Sequence, residues 1–145
     1  SASCDPRDTS GLLAALDESQ RHYNQCATVL QEASPPLLLS PFVLAELDYL
    51  LMRHMGHRAQ AALLEEVARG TYQLEGFAAA DIARAKQVIE RYADLRIGLA
   101  DASLVVLAER YAVTKVLTLD ERHFRAMRAG GRKRFQVLPF DRRTG

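Results

Sequence analysis

The chain has only two cysteines, no internal repeat, no low-complexity stretch and no apolar run near the roughly 18 residues a membrane helix needs. Cys4 and Cys26 form no short paired spacing of the kind that builds a structural zinc site or a redox motif, so free thiols are expected. Without a long apolar run a helical membrane span is excluded, and a soluble protein with no membrane partner is expected. Ser1 to Asp8 is polar and lacks the apolar core of a signal peptide, which makes a cytoplasmic location the expectation. Four histidines are also few. His54 and His57 stand three apart, a spacing that can ligate a metal, but no cysteine or carboxylate is arranged beside them, so they read as solvated surface residues.

What is present is ordinary globular material: 145 residues, 48% apolar and 26% charged, enough for one domain over 1–145. The net charge of +1 is unevenly spread. Residues 120–145 carry eight Lys or Arg against three Asp or Glu, leaving eleven against fifteen in the preceding 119. An acidic body therefore runs into a basic end that includes a tail at 139–145, and Arg132, Lys133, Arg134, Arg142 and Arg143 are candidates for attracting phosphates.

Apolar periodicity alternates between helix and strand. Helices are expected from Gly11 to Asp17, Arg21 to Ala33, Pro41 to about Arg53, His57 to Arg69, Ala78 to Tyr92, Leu99 to Tyr111, and from Asp120 up to Gly130-Gly131. Strands are expected at Leu37 to Leu39, Thr71 to Leu74, Lys115 to Leu119 and Phe135 to Leu138. Ser40-Pro41 is an N-cap with proline at the first helical position. Strands separated by helices imply the α/β class, a parallel sheet flanked by helices on both faces, whose ligands bind outside the carboxyl ends of the strands.

Four acids stand out against that pattern. Asp8 and Asp120 fall where strands should end and helices begin, although each could merely cap a helix. Glu46 has Phe42, Val43, Tyr49 and Leu50 as helical neighbours, and Asp48 has Leu44, Ala45, Leu51 and Met52, so periodicity leaves both open on apolar faces. Asp101 is surrounded by Ile97, Gly98, Leu104 and Val105, with Gly98 expected to let another backbone approach closely. Carboxylates gathered in one place repel, so such a set persists mainly with a hard divalent cation, and an all-oxygen site suits Mg²⁺ or Mn²⁺. Such a centre can promote in-line attack of water on a phosphodiester.

These motifs resemble the PIN domain, and within it the VapC-type toxins of bacterial toxin-antitoxin pairs. Asp8-Thr9-Ser10-Gly11-Leu12-Leu13-Ala14 resembles the family's opening motif, and Ser40 to Asp48 the segment carrying its helix glutamate, which selects Glu46 over Asp48. Asp101-Ala102-Ser103-Leu104 and Thr118-Leu119-Asp120-Glu121-Arg122-His123-Phe124 are similar to the third and fourth acidic motifs. The resemblance covers almost the whole chain and implies a Mg²⁺-dependent endoribonuclease, with Mn²⁺ as an alternative ion. Such a protein cuts structured RNA, tRNA or rRNA, inhibits translation and is held inactive by a cognate VapB-type antitoxin; homodimers are common. Asp8, Glu46, Asp101 and Asp120 are then the catalytic and metal-binding set, with Ser10 and Thr118 in support and His123, Arg132, Lys133 and Arg134 touching RNA.

One departure is local. Residues 1–7 are polar and contain Pro6 where the family has a hydrophobic strand, which makes Asp5 a competitor of Asp8 as the acid at that edge. Two other readings share part of the pattern. A phosphatase of haloacid dehalogenase type also starts from an aspartate and uses Mg²⁺, but wants a second aspartate where this chain has Ser10. A catalytically inactive PIN-like binding module would keep the acids without the chemistry.

Overall fold

A strand that is apolar on successive residues must be covered on both faces, and Lys115-Val116-Leu117 shows how this is met. Val116 packs into the main core while Leu117 joins a second, smaller core with Ala14, Ala15, Cys26 and Val29, on the opposite face of the strand. The fold is a computed structural model that describes residues 6–33 and 37–141. Its order is α1 (Thr9–Leu16), α2 (Tyr23–Glu32), β1 (Leu37–Leu39), α3 (Pro41–Met55), α4 (His57–Ala68), β2 (Tyr72–Leu74) and α5 (Ala79–Arg91). After a 3₁₀ turn at Ala93–Leu95 come α6 (Leu99–Tyr111), β3 (Lys115–Leu117), α7 (Glu121–Ala126), β4 (Arg128–Ala129), β5 (Lys133–Arg134) and β6 (Gln136–Leu138). The α/β reading holds, with small parallel strand pairs between helices.

Two parallel pairs, β1 with β2 and β3 with β6, are joined by residues 6 and 7. Pro6 bridges Leu38 and Arg7 bridges Leu117, both in parallel, so the spatial order is β2, β1, residues 6–7, β3, β6. Residues 6–7 thus enter the sheet at its centre. Proline is tolerated because the Leu117 amide donates to the Pro6 carbonyl at 3.2 Å, a bond that uses only the acceptor proline retains. Asp5 lies outside the described residues, as do Cys4, Arg142 and Arg143.

Helix α1 packs on α2 and α3, and α6 on α5 and α3. The close seating of α1 depends on Gly11: a Cβ there would stand 2.7 Å from the Leu117 carbonyl oxygen. Gly98 differs from expectation, because nothing lies within 4 Å of where its Cβ would be. It precedes α6 without serving a close approach. Ser40 caps α3 by accepting from the Phe42 amide at 3.2 Å, and its hydroxyl meets that of buried Ser103 at 2.7 Å. Since Ser103 donates to the Ala100 carbonyl at 2.6 Å, Ser40 is the donor between them, and the amino ends of α3 and α6 are tied together.

Two expected elements are shorter. β3 ends at Leu117 because Thr118 turns the chain: its amide still donates to Leu138, but its hydroxyl accepts from the Asp120 amide at 2.9 Å. α7 stops at Ala126, and a β4–β5 hairpin replaces the expected last turns, with Gly130 and Gly131 at positive φ of 60° and 79°. Cys26 is a buried free thiol, and His54 and His57 are exposed. Among the described residues no helix is long and apolar enough to cross a membrane. We expect Gly11→Ala to lower stability by about 1–3 kcal/mol through overpacking. Gly76→Ala, where a Cβ meets nothing within 4 Å, should stay within about 0.5 kcal/mol, both read by thermal denaturation.

Candidate active site

The carboxyl edge of the sheet gathers Asp8, Asp101 and Asp120 from residues far apart in sequence. Asp8 follows directly on the central bridge, and its amide donates to the Leu117 carbonyl at 2.8 Å. It holds the N-cap position of α1 but makes no side-chain cap bond. Its Oδ2 instead accepts from Thr118 Oγ1 at 2.6 Å and Ser10 Oγ at 2.9 Å. The two hydroxyls are 3.2 Å apart, and Ser10 Oγ also accepts from the Leu119 amide, so both supporting residues are fixed by the turn after β3. The position where a dehalogenase-type phosphatase needs its second aspartate is thus a hydroxyl serving the first.

Asp120 does two things at once. As N-cap of α7 its Oδ1 accepts from the His123 amide at 3.1 Å, while its Oδ2 stands 2.6 Å from His123 Nδ1. The same ring nitrogen is 3.0 Å from Oδ2 of Asp101, which lies in the first turn of α6. Asp101, Asp120 and His123 present ligand atoms that all fall within 4.8 Å of one another. Their side chains are 17, 32 and 19% exposed, so the cluster is partly shielded from solvent.

Burial raises the pKa of Asp8 above its ordinary value, against the hydroxyl bonds from Thr118 and Ser10, and the nearby Asp120 charge adds to the rise. Burial also pushes Asp101 up to about 6, helped by the charges of Asp8 and Asp120 and opposed by His123. Three partly exposed or buried carboxylates that destabilise one another's ionised forms are a donor set that fits a hard divalent cation.

Glu46 is placed differently from expectation. It is exposed, because the buried stripe of α3 runs through Val43, Leu47 and Leu51 and Tyr49 turns to solvent. It reaches the site through Thr9, whose hydroxyl donates to Glu46 Oε1 at 2.8 Å. Asp48 points toward α4, where Gln60 Nε2 donates to it at 2.9 Å, so the geometry separates the two acids that periodicity could not. In the sequence this role of Thr9 has no mark beyond a hydroxyl at the start of an apolar helix, which the fold buries.

The basic residues are not part of this cluster. Arg132 and Lys133 line a cleft of about 230 Å³ with Ala108, Glu109, Ala112 and Thr114, at the carboxyl end of α6 and the start of β3. From Asp101 to Ala112 the helix rises roughly 17 Å at about 1.5 Å per residue. Arg134 is exposed and paired in register with Arg128. Only His123, of the residues expected to touch RNA, sits among the acids.

A family model described as the PIN domain matches residues 7–129. Ribonuclease VapC26 of Mycobacterium tuberculosis is 43% identical over 132 residues, 91% of this chain and 98% of that protein. Among solved structures, Mycobacterium tuberculosis VapC20, described as a sarcin-ricin loop cleaving toxin, superposes with a TM-score of 0.71 at 21% identity, over 77% of this chain and 85% of its own. VapBC2 from Rickettsia felis, bound to a DNA fragment from its promoter, matches with a TM-score of 0.63 at 16% identity, covering 92% and 97%.

Because the folded chain holds the Asp101 proton more tightly than the unfolded chain does, folding takes up protons between the ordinary value of 3.8 and about 6. This group's contribution therefore makes the metal-free protein more stable as pH falls through about 6 toward 4, and less stable as pH rises. Asp101→Asn should raise the melting temperature of the metal-free protein at pH 7.5 and flatten that dependence, as followed by calorimetry.

Proposed function

We propose, for a chain that belongs to the PIN-domain family and within it to the VapC-type ribonucleases, that it is a Mg²⁺- or Mn²⁺-dependent endoribonuclease toxin. It cuts a structured RNA, tRNA or rRNA, inhibits translation in the cytoplasm and is neutralised by a cognate VapB-type antitoxin. The whole of 1–145 is taken as one PIN domain. The observation that carries the reading is the meeting of Asp8, Asp101 and Asp120 at one sheet edge with Asp8 and Asp101 both raised in pKa.

Asp8, Asp101 and Asp120, with Glu46 at the margin, are the residues that would hold the ion. When bound, the ion supplies charge neutralisation and activation of water for in-line attack on a phosphodiester. The chain's own residues do the rest. Ser10 and Thr118 fix one oxygen of Asp8, leaving the other for the site. Thr9 fixes Oε1 of Glu46, so that its exposed carboxylate can orient water beside the cluster. A structured RNA extends well past the scissile bond, and Arg132, Lys133 and Arg134 suit phosphates at that distance rather than the nucleotide being cut. Tyr49, Met52, Met55 and Leu64 leave exposed apolar surface on α3 and α4, and Met55 also lines an apolar cleft of about 260 Å³ with Leu51 and Leu63, a surface that suits a protein partner, the antitoxin or a second copy.

Incubation with total RNA tests this directly. Cleavage with Mg²⁺ or Mn²⁺ is expected to vanish with EDTA and to fall by about a hundredfold or more in Asp101→Asn. Folded protein that cuts no RNA class with either ion would point instead to an inactive PIN-like module. Either ion should also raise the melting temperature, less so in Glu46→Gln and undiminished in Asp48→Asn.

A further inference from the structure

We propose that His123 is itself a ligand of the metal centre, through Nδ1, and that this nitrogen makes the centre favour Mn²⁺ over Mg²⁺. The proposal rests on the metal-dependent reading above and goes beyond its carboxylate-only donor set. His123 Nδ1 lies 3.0 Å from Asp101 Oδ2 and 2.6 Å from Asp120 Oδ2. For ligand bonds of about 2.0–2.1 Å, adjacent corners of an octahedron stand about 2.9 Å apart. The separation from Asp101 matches that spacing, and the one from Asp120 is a few tenths of an ångström shorter, so a small opening of the Asp120 carboxylate would place all three atoms on one ion.

The ring is held there by the backbone. Asp120 Oδ1 accepts from the His123 amide, so the cap that starts α7 also fixes the third residue of that helix over the Asp120 carboxylate. Asp8 offers the centre one oxygen, because its Oδ2 already accepts from two hydroxyls. The remaining histidines are engaged elsewhere: His22 with Gln25 and Phe140, His57 with Gln60, and His54 on the exposed face of α3.

Imidazole suits first-row transition ions, whereas Mg²⁺ prefers oxygen and keeps its waters. One nitrogen among carboxylates leaves Mg²⁺ binding possible and tilts affinity toward the transition ion. A histidine that only braced the two carboxylates by hydrogen bonding would give no such preference.

Mn²⁺ bound to the full chain, observed by pulsed electron paramagnetic resonance, distinguishes these cases. Coupling to a directly bound nitrogen is expected, altered by isotopic labelling of histidine and lost in His123→Gln, whose Mn²⁺ affinity should drop about 10–100-fold with a smaller change for Mg²⁺. If His123→Gln does not fold, the triple variant His22→Gln, His54→Gln, His57→Gln must retain the coupling. Bound Mn²⁺ without nitrogen coupling would overturn the His123 assignment and leave the carboxylate centre standing. No bound Mn²⁺ at all would overturn both.

Discussion

Two backbone hydrogen bonds on Leu117 hold the rest of the molecule in register: its amide donates to Pro6 and its carbonyl accepts from Asp8. Through them the amino end becomes the central member of the sheet and joins the β1–β2 pair to the β3–β6 pair. The same carbonyl is the atom against which Gly11 must lack a side chain, so the seating of α1 and the position of Asp8 answer to one constraint. Displacing that contact would move Asp8 and Ser10 together away from Thr118.

Around this axis the site is built by hydroxyls more than by charges. Thr118 and Ser10 hold Asp8, Thr9 holds Glu46, and Ser40 with Ser103 ties the helices that bear Glu46 and Asp101. Hydroxyls are small, neutral and both donate and accept, so they can orient carboxylates in a partly buried place without neutralising them. The carboxylates keep their charge in a partly buried place, where burial first and the charges of Asp8 and Asp120 second raise Asp101, and with it their demand for a cation.

Much of this was legible in the sequence, and the exceptions have physical causes. Helix and strand order followed from apolar spacing, and the Ser40-Pro41 cap from local chemistry. Asp101 was readable because its neighbours along α6 are buried in fact as well as in pattern. The exposure of Glu46 was not legible because spacing locates a face but not what covers it, and the stripe of α3 that is buried passes beside that residue. The amino-terminal bridge escaped notice since its strength lies in main-chain atoms, which composition does not report. The β4–β5 hairpin replaced expected helix because the positive φ of Gly130 and Gly131 favours a tight turn. His123 looked like a residue for RNA, and only the fold of α7 turns its ring onto Asp101, 22 positions away.

The distance along the chain between Asp8 and its partners carries a further meaning. Thr118 is 110 residues downstream, and Asp120 and His123 lie beyond it. Proteins emerge from the ribosome amino end first, and contacts of such long separation form late. A growing chain therefore holds scattered, solvated acids. For a nuclease whose proposed target includes the translation apparatus, the topology delays assembly of the acidic site until β3 and the start of α7 have been made.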